Sequence, residues 1–416
     1  MSGRPVPPVT PPGPAPLLPD VGVVMLVPDR WSGQWQVRHQ VASRLARYFH
    51  VVWVNPAHDW TQSLRPREPR SAPAPANLDI YTPERWLPRF YRPSGLRDWA
   101  LRTRLHRARR RLTARGCRHV LLYVWRPRLG AALDLLPHDR SFYHIDDEYS
   151  FGTEAQPLDP VELRLIERVD QVFIHSPGLW ERKGGLNPHT ALVPNGVDYA
   201  AYATPAPMPA DLAAIAAPRL GYTGWLKNQL DWPLLASLAD RHPAWSFVFV
   251  GGVSPQPEMR TVVADLARRP NVHFLGEKTS DALTAYPQHF DVCLMPYARN
   301  AYTDCIYPLK LHEYLAGGRP VVGTPIRSLR GFGDTIALAE DEPAWSAAIA
   351  GALASAAAPA GAAAREARRA VARRHDWDGL VRRIAGTMAE RLGHPGAGAI
   401  GAPEAPAPAP ALAESP

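Results

Sequence analysis

The sequence has few cysteines and no long apolar run. Its 416 residues include three cysteines, Cys117, Cys293 and Cys305, which show neither a CxxC pair nor any other ligand-like spacing. This pattern argues against a disulfide framework and indicates a reducing compartment. No uninterrupted apolar stretch approaches the roughly 20 residues that a helix needs to cross a bilayer. We therefore do not expect an integral membrane protein.

The two ends of the chain also lack apolar bulk. Residues 1–20 are rich in proline, carry one arginine and contain no apolar segment of the kind found in secretion signals. Residues 393–416 consist mostly of alanine, proline and glycine, and burial of such side chains does not offset the entropy lost on ordering them. We expect a disordered arm, a disordered tail and a cytoplasmic protein.

Acidic residues are almost absent from one basic strip. Arg85–Arg128 contains fourteen arginines and a single acid, Asp98, in a chain of net charge +8. A basic strip attracts acidic partners, and the interleaved Trp86 and Trp99 fit docking in an anionic lipid interface at the inner face of the plasma membrane. The alternative is a solvated, arginine-rich helix, Leu96–Ala114, whose apolar face packs on its own domain. We do not expect a nucleic-acid partner.

Short apolar runs alternate with helical patterns along most of the chain, which predicts an α/β fold with buried parallel strands. The length allows two domains, each with its own core. The main predicted strands are Val21–Val27, Val51–Val54, Leu78–Tyr81, Val120–Trp125, Ser141–Ile145, Gln171–His175, Arg219–Thr223, Ser246–Gly251, Val272–Leu275 and Asp291–Met295.

Residues 305–326 carry the most informative pattern. Pro308 suits the first turn of a helix over Leu309–Ala316, glycines end that helix, and a buried strand follows. The free N–H groups at a helix start attract phosphate, and Lys310 adds a full charge. Glu313, one turn later, can accept hydrogen bonds from a diol. Together these groups suit a sugar nucleotide, whereas the alternative is a surface helix with Lys310 and Glu313 as a solvated pair.

This stretch resembles the donor-site signature of GT-B glycosyltransferases of family 4, close to the teichuronic-acid and exopolysaccharide branch. The matching residues are Pro308-Leu309-Lys310, Glu313-Tyr314-Leu315-Ala316, Gly318 and Pro320-Val321-Val322. The resemblance implies that Glu313 holds the ribose hydroxyls, while Lys310 and the helix start hold the pyrophosphate of a UDP- or GDP-linked sugar. Tyr307 and Leu309 are assigned to the same donor site. Many family members carry a further glutamate where this chain has Cys305, which leaves the sugar and the stereochemistry open.

Other parts of the donor site are expected from two loops. The loop from Trp31 to His39 resembles the first loop of the same branch, and Gly33 would permit a close approach of backbone to ligand. The loop after the strand Arg219–Thr223 contains Gly224 and Lys227, and Lys227 is a second candidate for the donor phosphates. The alternatives are an ordinary glycine turn and a surface lysine.

Acidic residues follow the predicted strand Ser141–Ile145, at an edge where α/β sheets bind ligands. The resemblance implies that an aspartate at this position orients or deprotonates the acceptor hydroxyl. Asp146 is the first candidate for the catalytic base and Asp147 the second, while a helix cap is the alternative role. The run Asp146-Asp147-Glu148 also resembles the metal-binding carboxylates of GT-A transferases, but the signature in a separate second domain argues against that fold.

The resemblance implies a GT-B protein with two Rossmann-like, doubly wound domains facing a cleft and a C-terminal helix that crosses back. The expected segments are an arm over 1–20, an acceptor domain over 21–200, a linker over 201–218, a nucleotide-sugar domain over 219–374, a cross-over helix over 375–392 and a tail over 393–416. The expected activity is a metal-independent, hexosyltransferase-type reaction without a cofactor, with a lipid-linked or polysaccharide acceptor. Two alternatives are a non-catalytic module that binds a nucleotide or glycan, and an arginine-strip nucleic-acid binder.

Overall fold

The computed structural model describes residues 14–33, 35–58, 74–89, 93–150, 152–357 and 361–401. These residues form two compact units. Unit 1 comprises the described residues of Met1–Ile145, Asp159–Phe173 and Val381–Ala402, and unit 2 comprises those of Asp146–Leu158 and Ile174–Leu380.

The first sheet has the strand order β3-β2-β1-β4-β5-β6-β7, and its registers from β3 to β5 are parallel. Its central strand β1 is buried along its whole length, as expected for a parallel strand with both faces covered. The strands are β1 Val21–Leu26, β2 His50–Val54, β3 Leu78–Tyr81, β4 His119–Val124, β5 Arg140–Ile145, β6 Gln171–Ile174 and β7 Thr190–Leu192.

The helices of this half of the chain connect the strands of the first sheet. They are α1 Val37–Leu45, α2 Ser94–Thr113, α3 Ala132–Leu135, α4 Pro160–Arg168 and α5 Pro177–Lys183. α2 buries Ala100, Leu105, Ala108 and Leu112 at helical spacing. Gly22 lets α2 approach β1, because a Cβ at that position would lie 2.8 Å from a methyl carbon of Leu112.

The second sheet lies in unit 2 and has the order β10-β9-β8-β11-β12-β13, with parallel pairings throughout. Its strands are β8 Arg219–Thr223, β9 Ser246–Val250, β10 Val272–Phe274, β11 Val292–Met295, β12 Val321–Gly323 and β13 Ala337–Leu338. The direction of winding reverses between β8 and β11. Ligands of doubly wound sheets bind at the carboxyl ends of the strands beside such a reversal.

Helices cover both faces of this sheet and enclose a core that includes Leu235, Leu311, Tyr314 and Trp345. The helices are α6 Tyr199–Ala203, α7 Ala210–Ala213, α8 Trp232–Arg241, α9 Pro257–Leu266, α10 Ser280–Leu283, α11 Ala301–Cys305, α12 Lys310–Ala316, α13 Glu342–Ala357 and α14 Gly361–Arg374. The last helix, α15 Trp377–Leu392, belongs to unit 1 from Val381 onward. None of the helices within the described ranges combines the length and apolarity needed to span a membrane.

The predicted α/β class and the two parallel sheets are confirmed, and the predicted strands agree with the observed ones to within one or two residues. The signature helix is also present, as α12. Ser176 caps α5, because its hydroxyl accepts the N–H of Leu179 at 3.2 Å.

Four predicted segment boundaries are wrong. The acceptor domain was predicted over 21–200, but Ile174–Leu380 belongs to unit 2. The end of the arm belongs to unit 1, because Leu18 is buried and its N–H donates to the carbonyl oxygen of Tyr48 at 2.8 Å. The supposed linker 201–218 contributes Tyr202, Leu212 and Ile215 to the core of unit 2, so it is not a connection between domains. The tail is ordered as far as 401, since Ile400 is buried. The predicted arm over 1–13 and the predicted tail over 402–416 lie outside the described residues.

Candidate functional site

Lys310 and Gly224 are brought together at the carboxyl end of β8. The Lys310 ammonium lies 5.0 Å from the centre of the Tyr222 ring. A Cβ at Gly224 would lie 2.6 Å from Cε and 2.8 Å from Nζ of Lys310, and Gly224 has a φ of +113°. The lysine side chain therefore runs directly over a glycine backbone, and both residues were predicted site members. Among the described residues, Lys310 has no ion-pair partner.

Gly251 packs against the backbone of Gly224. The sequence analysis did not identify this role. A Cβ at Gly251 would lie 2.1 Å from the carbonyl oxygen of Gly224, and φ at Gly251 is +152°. The N–H of Gly224 donates to Val250 at 2.7 Å, and the N–H of Gly251 donates to Gly276 at 2.9 Å. A glycine pair directly after a strand was the available signal, because such pairs often mark close backbone packing.

Lys227 shares the electrostatic environment of Lys310. Partial loss of hydration lowers the pKa of Lys227, the positive charge of Lys310 lowers it further, and the carboxylate of Asp147 opposes both effects. The three predicted residues are thus close enough in unit 2 to influence one another. Lysine ammonium groups bind phosphate oxygens through charge-assisted hydrogen bonds, so this pair suits a diphosphate.

Glu313 lies one turn after Lys310 on α12. Burial raises the pKa of Glu313, whereas Lys310 and a hydrogen bond from the Tyr202 hydroxyl lower it. Tyr202, on α6, is a site residue that the sequence analysis placed in a linker. A carboxylate has about four acceptor sites, so a hydrogen bond from Tyr202 leaves capacity for a ribose diol.

We predict the effect of Glu313→Gln on the free energy of unfolding of the ligand-free protein. The difference between variant and wild type should favour the variant more at neutral pH than at acidic pH. A carboxyl group with a raised folded-state pKa favours the folded state while it is protonated, and that contribution is lost as pH rises through and above 4.5. Glutamine does not ionise, so its advantage should grow between pH 4 and pH 7. Urea unfolding at both pH values measures the difference. Glu258→Gln, at an exposed position of α9, is the control for the loss of one carboxylate.

Buried polar contacts hold α12 in place. The hydroxyl of Tyr314 accepts the N–H of Thr223 at 2.8 Å, which ties the helix to the end of β8. Tyr307 is buried, and its hydroxyl forms a hydrogen bond with Nε2 of His312 at 2.9 Å. The carbonyl oxygen of Tyr307 accepts a hydrogen bond from Nδ2 of Asn195 at 2.8 Å. The structure therefore places Tyr307 beneath the helix start as a support. Leu309 is the N-cap residue of α12 and is half-buried.

The acidic run after β5 does not converge on one point. Asp146 accepts a hydrogen bond from the Tyr149 hydroxyl at 2.9 Å, and Asp147 accepts the N–H of Glu148 at 2.9 Å. Glu148 is buried and lies 2.8 Å from an Arg182 guanidinium nitrogen and 3.4 Å from Nζ of Lys183. Within the described ranges, no group of three or more His, Cys, Asp or Glu side chains is arranged to hold a metal ion.

Cys305 is a buried packing residue. Its carbonyl oxygen accepts the Ser176 hydroxyl at 2.6 Å, and its thiol lies 3.9 Å from a guanidinium nitrogen of Arg182. Burial raises the pKa of the Cys305 thiol, and the hydrogen bond from Arg182 opposes this effect. The neighbouring Asp304 accepts the N–H of Arg327 at 3.0 Å. The position where many family members have a glutamate is therefore enclosed by protein.

Gly33 belongs to unit 1 and closes a turn. Its N–H donates to the carbonyl oxygen of Arg30 at 2.9 Å, and a Cβ at Gly33 would lie 3.0 Å from that oxygen. Trp31 beside it is buried, and its N–H donates to the side chain of Asn55 at 2.9 Å. The remaining predicted donor residues lie in unit 2.

Comparisons of the sequence agree with the resemblance. Residues 217–355 match the family model described as Glycosyl transferases group 1. A Bacillus subtilis (strain 168) protein, assigned by its name to teichuronic acid biosynthesis as a glycosyltransferase, is 30% identical over 238 residues. That alignment covers 55% of this chain and 58% of the relative, so the chain spans less than two thirds of the relative's length.

Solved structures show the same fold at low sequence identity. Sucrose-phosphate synthase from Thermosynechococcus elongatus has a TM-score of 0.64 and 19% identity, over 90% of this chain and 98% of its own. An E. coli trehalose-6-phosphate protein bound with UDP-2-fluoro glucose has a TM-score of 0.64 and 11% identity, over 89% and 99%. Anabaena HepE in complex with UDP and glucose has a TM-score of 0.61 and 15% identity, over 89% and 99%. The GT-B architecture is thus confirmed.

Proposed function

We propose, from the premise that residues 217–355 form a group 1 glycosyltransferase domain, that this chain transfers a sugar from a nucleotide to an acceptor. The acceptor would be lipid-linked or a polysaccharide, in the synthesis of an envelope or exopolysaccharide glycan. The observation that carries the proposal is the position of Lys310 over the Gly224 backbone, with Lys227 near it and Glu313 one turn away.

These residues would act mainly on the leaving group. Lys310 and Lys227 would stabilise the charge that develops on the nucleoside diphosphate as the sugar departs, so that no metal ion or cofactor is required. Glu313 would hold the ribose hydroxyls. The complexes of HepE with UDP and glucose and of the E. coli protein with UDP-2-fluoro glucose support a UDP-linked donor, and a GDP-linked donor is the alternative.

Asp146 would serve the acceptor. It directly follows β5, and its carboxylate is oriented by the hydrogen bond from Tyr149. A carboxylate within reach of the acceptor hydroxyl would remove its proton as the sugar is transferred. Asp147 is the second candidate, although its interaction with Lys227 favours a role near the diphosphate.

Lys310→Ala should weaken binding of the donor nucleotide by about 10- to 100-fold, because it removes a charge-assisted contact to phosphate. Isothermal titration of wild type and variant with UDP, GDP, ADP and TDP, all in EDTA, measures this loss and identifies the base. Arg260→Ala, which removes an exposed positive charge on α9, is the control and should bind the nucleotide as wild type does.

Two results would contradict the donor site. One is wild-type protein that binds none of the four nucleotides, and the other is a folded Lys310→Ala variant with unchanged affinity. Nucleotide binding that appears only when a divalent cation is supplied would overturn metal independence and leave the location of the site intact.

A second candidate is a non-catalytic module that binds a nucleotide or glycan. The observation that favours it is the enclosure of Cys305, where many family members carry a glutamate. Nucleotide binding that depends on Lys310, without turnover over a panel of lipid and saccharide acceptors, would support this candidate over the transferase.

We also propose that α2 docks on an anionic membrane surface. Trp99, Arg102, His106 and Arg110 follow one another at helical spacing and are all exposed. Trp86, in the preceding loop, is 59% exposed, which is high for a tryptophan. Exposed aromatic and basic side chains on one helix face suit the headgroup region, and the opposite face is already used for packing in unit 1.

Arg102→Glu combined with Arg110→Glu should abolish flotation with vesicles that contain anionic lipid. Each reversal replaces an attraction of about 1 kcal/mol near the surface with a repulsion. Arg260→Glu combined with Arg268→Glu changes the net charge equally, at exposed positions on α9 and in the turn after it, and should leave flotation unchanged. Equal losses in the two double variants would show a net-charge effect and remove the assignment to α2.

A further inference from the structure

Four arginines converge on one backbone position in unit 2, at the C-terminal end of α12. Gly318 has a φ of +74°, and a Cβ there would lie 2.4 Å from Cγ of Arg365 and 3.2 Å from Nε of Arg369. Nε of Arg368 donates to the Gly318 carbonyl oxygen at 3.0 Å. Arg319 is the next residue in the chain. We call these four residues the arginine cluster.

The charge of the arginine cluster is not neutralised. No member forms an ion pair with any residue in the described part of the chain. Glu366, on the same helix, pairs instead with Arg373 at 3.1 Å. Asp291 acts on Arg319 only over a longer range, and its carboxylate accepts the N–H of Arg219 at 2.7 Å. Four neighbouring positive charges without a carboxylate repel one another and so favour an anion among them.

Much of the hydrogen-bonding capacity of the cluster is unused. Arg319 donates one N–H to the carbonyl oxygen of Gln288, and Arg368 donates one to Gly318. The Nε atoms of Arg319 and Arg369 are buried and have no acceptor among the described residues. Burial lowers the pKa of Arg319 and of Arg368, and the neighbouring guanidinium groups lower the pKa of each further. Each guanidinium has five N–H donors, so the cluster can hold an acceptor-rich ligand.

Capping of α12 does not account for four arginines. Positive charge near a helix C-terminus is favourable, and Arg368 already satisfies the Gly318 carbonyl. However, α12 has only 7 residues, so its dipole is small. Arg365 and Arg369 lie over Gly318 without any hydrogen bond to a carbonyl in the described chain. Their presence beside Arg319 and Arg368 therefore adds repulsion that capping does not offset.

We propose that the arginine cluster binds a phosphate-bearing anion at a site separate from the one at Lys310. The two positions lie at opposite ends of α12, which places them roughly 10 Å apart along a helix of this length. Guanidinium groups bind phosphate oxygens in a planar, two-point geometry that a lysine does not provide. The ligand would be either a soluble oligophosphate or a phosphomonoester lipid headgroup, since the two present the same oxygens.

Thermal unfolding in sodium tripolyphosphate tests the proposal. We expect the melting temperature to rise by about 3 °C or more at saturation in wild type and in Lys310→Ala, relative to sodium chloride at the same ionic strength. Arg365→Gln combined with Arg369→Gln should abolish the shift. This double variant removes repulsion, so it should melt no lower than wild type without ligand. Arg374→Gln combined with Arg260→Gln removes two exposed charges as the control and should keep the shift.

Two results would overturn the site. One is an equal shift in the two double variants, and the other is a shift that Lys310→Ala abolishes, since the anion would then occupy the donor position. Flotation with phosphatidate vesicles forms a second arm, with Arg102→Glu and Arg110→Glu introduced in every protein so that α2 does not contribute. If the protein floats and only the double variant Arg365→Gln with Arg369→Gln loses flotation, the ligand is a lipid headgroup. If tripolyphosphate raises the melting temperature but the protein does not float, the ligand is a soluble oligophosphate.

Discussion

Asp146→Asn should lower kcat by roughly 10²- to 10⁴-fold, the range typical of losing a general base. Asparagine keeps the size of the side chain and accepts the hydrogen bond that Tyr149 donates at 2.9 Å, so the fold should be retained. The affinity for the donor nucleotide should not change, because that affinity depends on Lys310 and Glu313. Single-turnover rates with the identified donor, together with nucleotide titration, measure the two quantities separately.

Asp147→Asn is the matched control for this prediction. It removes the carboxylate that acts on Lys227, so it should alter nucleotide affinity more than the rate of transfer. If Asp147→Asn loses the transfer rate and Asp146→Asn retains it, the base is Asp147. If neither variant slows transfer, the acceptor hydroxyl is activated by another group and the proposed role of this acidic run is wrong.

Gly251→Ala should lower the free energy of unfolding by about 3 kcal/mol or more. The new Cβ would lie 2.1 Å from a backbone oxygen of Gly224, and φ at Gly251 is +152°, so steric overlap and backbone strain both contribute. The carbonyl of Gly224 has to move to relieve the overlap. Because Lys310 runs over Gly224, nucleotide affinity should fall as well. Urea unfolding and titration calorimetry measure the two effects.

Gly351→Ala is the control for the glycine substitution. Gly351 lies on α13, is exposed, and a Cβ there would have no neighbour within 4 Å. Alanine in that helix should raise stability by about 1 kcal/mol. A Gly251→Ala variant that is as stable as wild type and binds the nucleotide equally well would show that the contact between the two loops is dispensable.

The sequence was informative wherever the signal is local. The runs Val21–Val27 and Arg219–Thr223 predicted strands because parallel strands buried on both faces need continuous apolar side chains. A proline at the start and two glycines at the end predicted a helix over the residues between them. Lys310 and Glu313 are three residues apart, so this helix places them one turn apart. These features depend on neighbours within a few residues, which the sequence shows directly.

Composition was misleading where packing decided the outcome. The segment 201–218 is rich in alanine and proline and was assigned as a linker, yet Tyr202, Leu212 and Ile215 fill the core of unit 2. A few well-placed apolar side chains are sufficient to order a short segment if the core has room for them. Tyr202 thereby reaches Glu313, and no local pattern indicated that interaction.

The sequence by itself determined the α/β class, most strands and the helix that carries Lys310 and Glu313, since apolar periodicity and helix-end residues act over one or two turns. Only the tertiary structure decided that Lys310 lies over Gly224, that Gly251 supports that loop and that Arg365 and Arg369 meet at Gly318. These contacts join residues far apart in the chain. They are set by how strands and helices pack, and packing depends on the whole core.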